Sequence, residues 1–211
     1  MSSAPEFLHP VDPSNGEALA PVPCTTPEEL AAVVAAARRA QSTWADTPFV
    51  DRCARLRAFA AALSGAASEG LAQQLSQEMG KPLREARAEV RGVATRVESF
   101  IDRAEAACAD EVGVEGGIQV TVRWRPLGVV AVIGPWNYPV ATPNNLIMSA
   151  LLTGNAAVFK PSEFTPRTGA LLQGLLAPHL PAGLLGLVQG TGRVGGALVA
   201  SAVDMIAFTG S

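Results

Sequence analysis

Residues 127–146 read LGVVAVIGPWNYPVATPNNL. The first seven form a continuous apolar run, the pattern of a strand covered on both faces rather than one with a wet face. The run stops at Gly134-Pro135, and Trp136, Asn137 and Tyr138 then crowd a tight turn closed by Pro139. A helix follows at about 143–152 and ends at TGN. The same alternation then repeats. AAVFK (156–160) reads as a strand, and TPRTGALLQGLLA (165–177) as a helix with Thr165 as cap and Pro166 in first position. GLLGLVQ (183–189) is a third strand, RVGGALVASA (193–202) a short helix, and VDMIAF (203–208) a fourth strand. Strands joined by helices of this length require right-handed crossovers, and therefore a parallel sheet.

Upstream the grammar is helical. Residues 1–25 are Pro-rich and suggest an extended arm with turns, DPSNGE (12–17) being one. Thr26, Pro27 and Glu29 spell a capping box, so a helix runs to about Gln41. A second helix covers about 50–64, with Leu56, Phe59, Ala60 and Leu63 on one face. A third runs from about Glu69 to Met79 and stops at GKP, Gly80 being suited to a left-handed C-terminal position. A long fourth helix, about 82–109, carries a stripe of Val90, Val93, Val97, Phe100, Ile101, Ala104 and Cys108. That stripe makes Cys108 a buried structural thiol rather than a nucleophile. In IQVTVRWR (118–125) the period falls to two, predicting a half-exposed antiparallel strand. It belongs either to a sheet-edge hairpin or to an arm that pairs with another subunit.

Composition excludes several classes. Of 211 residues, 48% are hydrophobic and 17% charged, enough for a sizeable core and against global disorder. A net charge of −3 argues against a nucleic-acid binder, whose footprint is basic. Three cysteines and two histidines show no metal-ligand spacing, so no metal site is expected. Unpaired thiols, no signal-peptide pattern, and no apolar run near the ~20 residues of a membrane span together predict a soluble, cytoplasmic protein.

In open α/β sheets, ligands bind outside the carboxyl ends of the strands. Those ends here are GPWNYP, KPSE, GTGRVGG and TGS, so four unusual segments converge on one rim. GTGRVGG fits G-x-G-x-x-G through Gly190, Gly192 and Gly195, without the acidic residue that usually follows. Lys160 with Glu163 is either a solvated pair or a partner for ribose hydroxyls. Asn137 is either a turn-former beside Pro139 or a neutral donor for an oxyanion.

These segments together resemble the aldehyde dehydrogenase superfamily. The resemblance runs from DPSNGE through EMGKPLREARAEV, RPLGVVAVIGPWNYP and LLTGNAAVFKPSEFTP to IAFTGS, nearly the whole chain. It implies an α/β fold: N-terminal helices, a Rossmann-like parallel sheet left incomplete, and a β-strand oligomerisation arm. Residues 1–112 would be the arm and helices of the cofactor-binding domain, 113–126 the β-arm, and 127–211 the NAD-binding βαβ units, with the catalytic domain absent. Asn137 matches the family's catalytic amide, which stabilises the oxyanion of a thiohemiacetal. Ile133, Gly134, Pro135 and Trp136 match the segment passing close to the cofactor. Lys160 and Glu163, with Ser162 beside them, match the pair that holds the adenosine ribose. Gly192 and Gly196 flank the adenine and its phosphate, while Thr209, Gly210 and Ser211 begin the turn that meets the pyrophosphate and nicotinamide. A carboxylate at Glu163 accepts from a ribose 2′-hydroxyl and repels a 2′-phosphate, so NAD is expected over NADP, with NADP still possible.

The family's nucleophilic cysteine and general-base glutamate lie downstream of FTGS. None of Cys24, Cys53 or Cys108 matches the nucleophile, so the 211-residue chain is expected to be inactive alone. The resemblance implies a small-molecule aldehyde substrate, no membrane or nucleic-acid partner, and a homodimer or homotetramer when full length. The phrasing is most similar to semialdehyde dehydrogenases, including succinylglutamate-semialdehyde-type members. A CoA-acylating semialdehyde dehydrogenase and a non-catalytic nucleotide-binding or subunit-pairing module remain as alternatives.

Overall fold

Two strands from the middle of a parallel sheet show why this sequence folds as it does. The computed structural model describes residues 6–210, so the first residues of the expected arm, and Ser211, lie outside the described residues. The described arm holds a short antiparallel pair, β1 (Phe7–Leu8) with β2 (Val22–Pro23). Strand β5 (Val129–Ile133) is buried from Val129 to Val132, and all five residues of β6 (Ala156–Lys160) are buried. Both are apolar on each face, as a strand sandwiched by helices must be. With β7 (Leu185–Leu187) and β8 (Met205–Phe208) they form a four-stranded parallel sheet in the order β7-β6-β5-β8. Helices α6 (Ala141–Leu152) and α7 (Pro166–Leu176) carry the chain outward from β5 to β6 to β7. Helix α8 (Gly192–Val199) returns it to the far side of β5, so right-handed crossing sets α8 on the opposite face. On β8, Met205, Ile206 and Phe208 are exposed.

The upstream helices pack on the sheet or on the helices that cover it. In α1 (Pro27–Trp44) the capping box forms as expected, Glu29 N–H donating to Thr26 Oγ1 at 3.2 Å and Thr26 N–H to Glu29 Oε2 at 2.8 Å. The helix outruns its expected end because Trp44 is buried and its indole N–H donates to the Leu151 carbonyl at 2.9 Å. Helix α2 (Phe49–Ala62) buries Leu56 and Phe59, and α3 (Gly65–Met79) ends at Gly80, whose φ is +84°. Helix α3 begins a turn earlier than the pattern suggested.

Two expectations need correction. The long helix over 82–109 is two helices, α4 (Leu83–Thr95) and α5 (Val97–Ala107), separated at Arg96, whose ψ of −7° departs from helical geometry. Both halves pack on α2 and α6, and α4 alone also packs on α3. Cys108 falls just past the end of α5 and is half-buried; the thiol in the core is Cys53. The second correction concerns the alternating strand. β3 (Glu111–Glu115) and β4 (Ile118–Val122) form a separate antiparallel hairpin, not an edge of the parallel sheet. Every residue of both strands is exposed, so no face of it is half-buried. Among the described residues, no helix is long and apolar enough to cross a membrane.

Candidate functional site

The carboxyl ends of β5, β6 and β8 are level with one another. Ile133 pairs in register with Lys160 on one side and Phe208 on the other. Backbone hydrogen bonds then tie the segments leaving the sheet: Gly134 N–H to the Lys160 carbonyl and Thr209 N–H to the Ile133 carbonyl, each 3.1 Å. A cleft of about 880 Å³ opens above them.

Most residues expected at a site meet there. Ile133, Gly134, Pro135, Trp136 and Asn137 line the cleft from the end of β5. Lys160, Ser162 and Glu163 line it from β6, Gly192 from α8, and Thr209 and Gly210 from the end of β8. Gly196 is not among the lining residues, and Ser211 lies outside the described residues. Gly195, the third glycine of the G-x-G-x-x-G pattern, also lines the cleft, as do Phe164, Val199, Ile206 and Phe208, which were not expected as site residues. The helical period gives a signal for one of these: Val199 follows Gly192 and Gly195 at steps of three and four, on one face.

Backbone packing shapes the floor. A Cβ built on Gly134 would sit 3.1 Å from Pro143 and 3.3 Å from Phe159, so the chain leaves β5 flush against α6 and β6. At the entry to α8, Thr191 accepts from Arg193 N–H at 3.3 Å, capping a helix whose first residue is a glycine facing the cleft.

Lys160 and Glu163 supply the cleft's charge. The Lys160 side chain is 3% exposed, its Nζ donates to the Pro161 carbonyl at 2.8 Å and stands 3.8 Å from Glu163 Oε2. Burial pushes the Lys160 ammonium pKa down, partly offset by the Glu163 charge. The Glu163 side chain is 37% exposed, so a donor and an acceptor stand side by side, as vicinal hydroxyls require.

Two buried carboxylates, neither apparent as functional from the sequence, fix the helices behind these loops. Glu89 on α4 accepts from Val140 and Ala141 N–H at the start of α6. Glu78 on α3 accepts from Arg167 and Thr168 N–H at the start of α7. Thr165 holds the cap position of α7 yet makes no side-chain cap, against the sequence expectation; Glu78 takes that role.

No cysteine lines the cleft. Burial pushes the Cys24 and Cys53 thiols up, away from the thiolate form a nucleophile needs. Among the described residues, no three His, Cys, Asp or Glu side chains group as metal ligands would.

The profile of the "Aldehyde dehydrogenase family" matches residues 1–211. The chain is 45% identical over 186 residues to an N-succinylglutamate 5-semialdehyde dehydrogenase of Vibrio cholerae, covering 87% of this chain and 38% of that protein. The enzyme of the same name from Chromohalobacter salexigens is 43% identical over 202 residues, covering 95% and 41%. Among solved structures, the NADP-dependent glyceraldehyde-3-phosphate dehydrogenase from Bacillus halodurans, complexed with NADP, superposes with a TM-score of 0.91 at 33% identity, over 98% of this chain and 45% of that one. A NAD-dependent benzaldehyde dehydrogenase from Corynebacterium glutamicum gives 0.90 at 28% identity, over 100% and 46%. The chain spans about two fifths of the length of the curated relatives it matches.

Proposed function

The chain belongs to the aldehyde dehydrogenase family, and from that premise we propose that it forms the cofactor-binding part of an enzyme oxidising a semialdehyde to its carboxylic acid with NAD(P). The observation that carries this reading is the meeting of three strand ends with the Lys160–Glu163 pair in one cleft.

The donor set fits a dinucleotide. Lys160, Glu163 and Ser162 would take the hydroxyls of the adenosine ribose. Gly192 and Gly195, facing the cleft from one helix, would leave room for the adenine and its phosphate: a Cβ at Gly192 would meet nothing within 4 Å. The segment from Ile133 to Trp136 would pass beside the cofactor, and Thr209 and Gly210 would meet its pyrophosphate and nicotinamide end. NAD(P), when bound, supplies the hydride acceptor. Glu163 favours NAD, since a carboxylate repels a 2′-phosphate. Asn137 would donate its amide to the oxygen that becomes negative when a nucleophile adds to the aldehyde. The nucleophile and the base would come from the part of the longer relatives that this chain does not cover, and the 211-residue chain alone would oxidise nothing. The resemblance to N-succinylglutamate 5-semialdehyde dehydrogenases supports a semialdehyde substrate. The exposed β3–β4 hairpin would pair subunits of a homo-oligomer, and the cysteine usage suits the cytoplasm.

The test uses the full-length protein with N-succinylglutamate semialdehyde, NAD or NADP, and coenzyme A present or absent. Acid formation with NAD is expected, and a CoA-dependent acyl product would replace this reading. Asn137→Ala should lower kcat by about 10²–10³, the loss typical of one oxyanion donor, with little change in NAD affinity. An unchanged kcat where chemistry limits turnover removes Asn137 from the reaction.

A further inference from the structure

The loop bearing Asn137 is held locally by Pro139 and by a hydrogen bond from Thr142 N–H to the Tyr138 carbonyl at 3.2 Å, but its last amides have no local acceptor. Val140 occupies the cap position of α6 and carries no side-chain oxygen, so the first amides of the helix need a partner from elsewhere. Glu89 provides it: its Oε1 accepts from Val140 N–H at 3.1 Å and from Ala141 N–H at 2.9 Å. Its other oxygen, Oε2, is ion-paired with Lys81. The Lys81 ammonium in turn donates to the backbone carbonyl of Asn137 at 3.0 Å and lies 4.2 Å from the centre of the Tyr138 ring. One ion pair therefore grips the segment at its first residue and again at its last, holding residues 137–141 between α4 and the cleft.

The pair is costly to build. The Lys81 and Glu89 side chains are 8% and 2% exposed, and an apolar pair of similar volume would often stabilise a fold as well or better. What an apolar pair could not do is fix two amides and a carbonyl of one short loop at once. An oxyanion donor must stand within about 2.7–3.1 Å of the developing charge, and displacements near 1 Å cost about 10²-fold in rate.

We propose that Lys81 and Glu89 are positioning residues for the reaction, a buried clamp that sets the backbone of Asn137 so that its amide is in place before the aldehyde arrives. The inference rests on the reading of Asn137 as the oxyanion donor. Neither residue touches substrate in this role; both act through the loop.

The experiment is a mutant cycle in the full-length enzyme, with amide hydrogen exchange as a readout independent of turnover. Lys81→Met should lower kcat by about 10- to 100-fold, the cost of a misplaced group, with the Kd for NAD within about twofold of the parent. Added to Asn137→Ala, Lys81→Met should cost less than about threefold more, because both changes remove one interaction. Glu89→Ala should speed exchange at Val140 and Ala141 while leaving exchange in β5 and β6 unchanged. Should Lys81→Met fail to fold, Glu89→Asp keeps the charge and shortens the reach, and the same kcat loss with an unchanged melting temperature is expected. A silent Asn137→Ala overturns the donor reading, and this inference with it. An active-site loss in Asn137→Ala with none in Lys81→Met, or losses that multiply in the double variant, overturns the clamp alone.

Discussion

Glu78 and Thr168 are joined twice: one oxygen of the carboxylate accepts from both the amide and the hydroxyl of Thr168, each at 2.7 Å, across 90 residues of sequence. Its other oxygen accepts from Arg167 N–H at 2.9 Å. These bonds fasten α3 to the start of α7 and so hold the segment carrying Lys160, Ser162 and Glu163 against the helical layer. Glu78→Ala would strip the cap and leave buried amides without acceptors, and it should cost about 2–4 kcal/mol of stability in urea unfolding. A loss under about 0.5 kcal/mol would mean that water replaces the carboxylate freely.

Asp204 closes the opposite end of the sheet. It accepts from Val129 N–H at 2.7 Å and pairs with Arg38 of α1, which also donates to the Ala202 carbonyl at 2.7 Å. Burial alone would raise its carboxyl, but the bonds from Arg38 and Val129 outweigh that and hold it below the ordinary 3.8. A depressed carboxylate contributes stability that is present above its unfolded pKa and lost as pH falls through the folded one. The stability gap between the parent and Asp204→Asn should therefore be flat above about pH 5 and shrink below about pH 3.8. A gap that stays constant down to about pH 2.5 would rule out Asp204 as the titrating group.

Gly128 sits under the same contact. Its φ is +135°, and a Cβ there would fall 2.1 Å from Asp204 Oδ2 and 2.7 Å from Arg38 Nη1. Gly128→Ala must distort either the backbone or the ion pair, and should destabilise by about 3 kcal/mol or more. A melting temperature within a degree or two of the parent would show that the Arg38–Asp204 pair yields without cost.

What the sequence disclosed and what it hid divide along a physical line. The strands β5 and β6, the capping box of α1 and the stop at Gly80 are legible because each is decided by residues within a turn or a strand of one another. The convergence of GPWNYP, KPSE and TGS follows from topology alone once the sheet is known to be parallel. Glu78 and Glu89 read as ordinary charges in EMGKPLREARAEV, since their partners lie 89 and 51 residues away and no local period announces them. The break at Arg96 is likewise invisible: the apolar stripe runs through it unbroken, and α4 and α5 share α2 and α6 as partners on either side of it. The hairpin β3–β4 alternates correctly, but alternation does not say whether anything covers the apolar face.

Glu163 offers the sharpest test of the cofactor reading. Its side chain is 37% exposed and 3.8 Å from Lys160, close enough to share a ligand's hydroxyls and open enough to meet one. A carboxylate within hydrogen-bonding range of a phosphate in a wet cleft repels it by about 1–2 kcal/mol. Glu163→Gln keeps the shape and an acceptor oxygen while removing that charge, and Lys160 retains the Pro161 carbonyl as its partner. In the full-length enzyme the ratio of kcat/KM for NAD to that for NADP should fall by about tenfold, or ~1.4 kcal/mol, chiefly through tighter NADP binding. Equilibrium titration of both cofactors separates this from an effect on turnover. If the ratio does not move while both cofactors still bind, Glu163 does not face the ribose, and the adenosine end lies elsewhere along the rim.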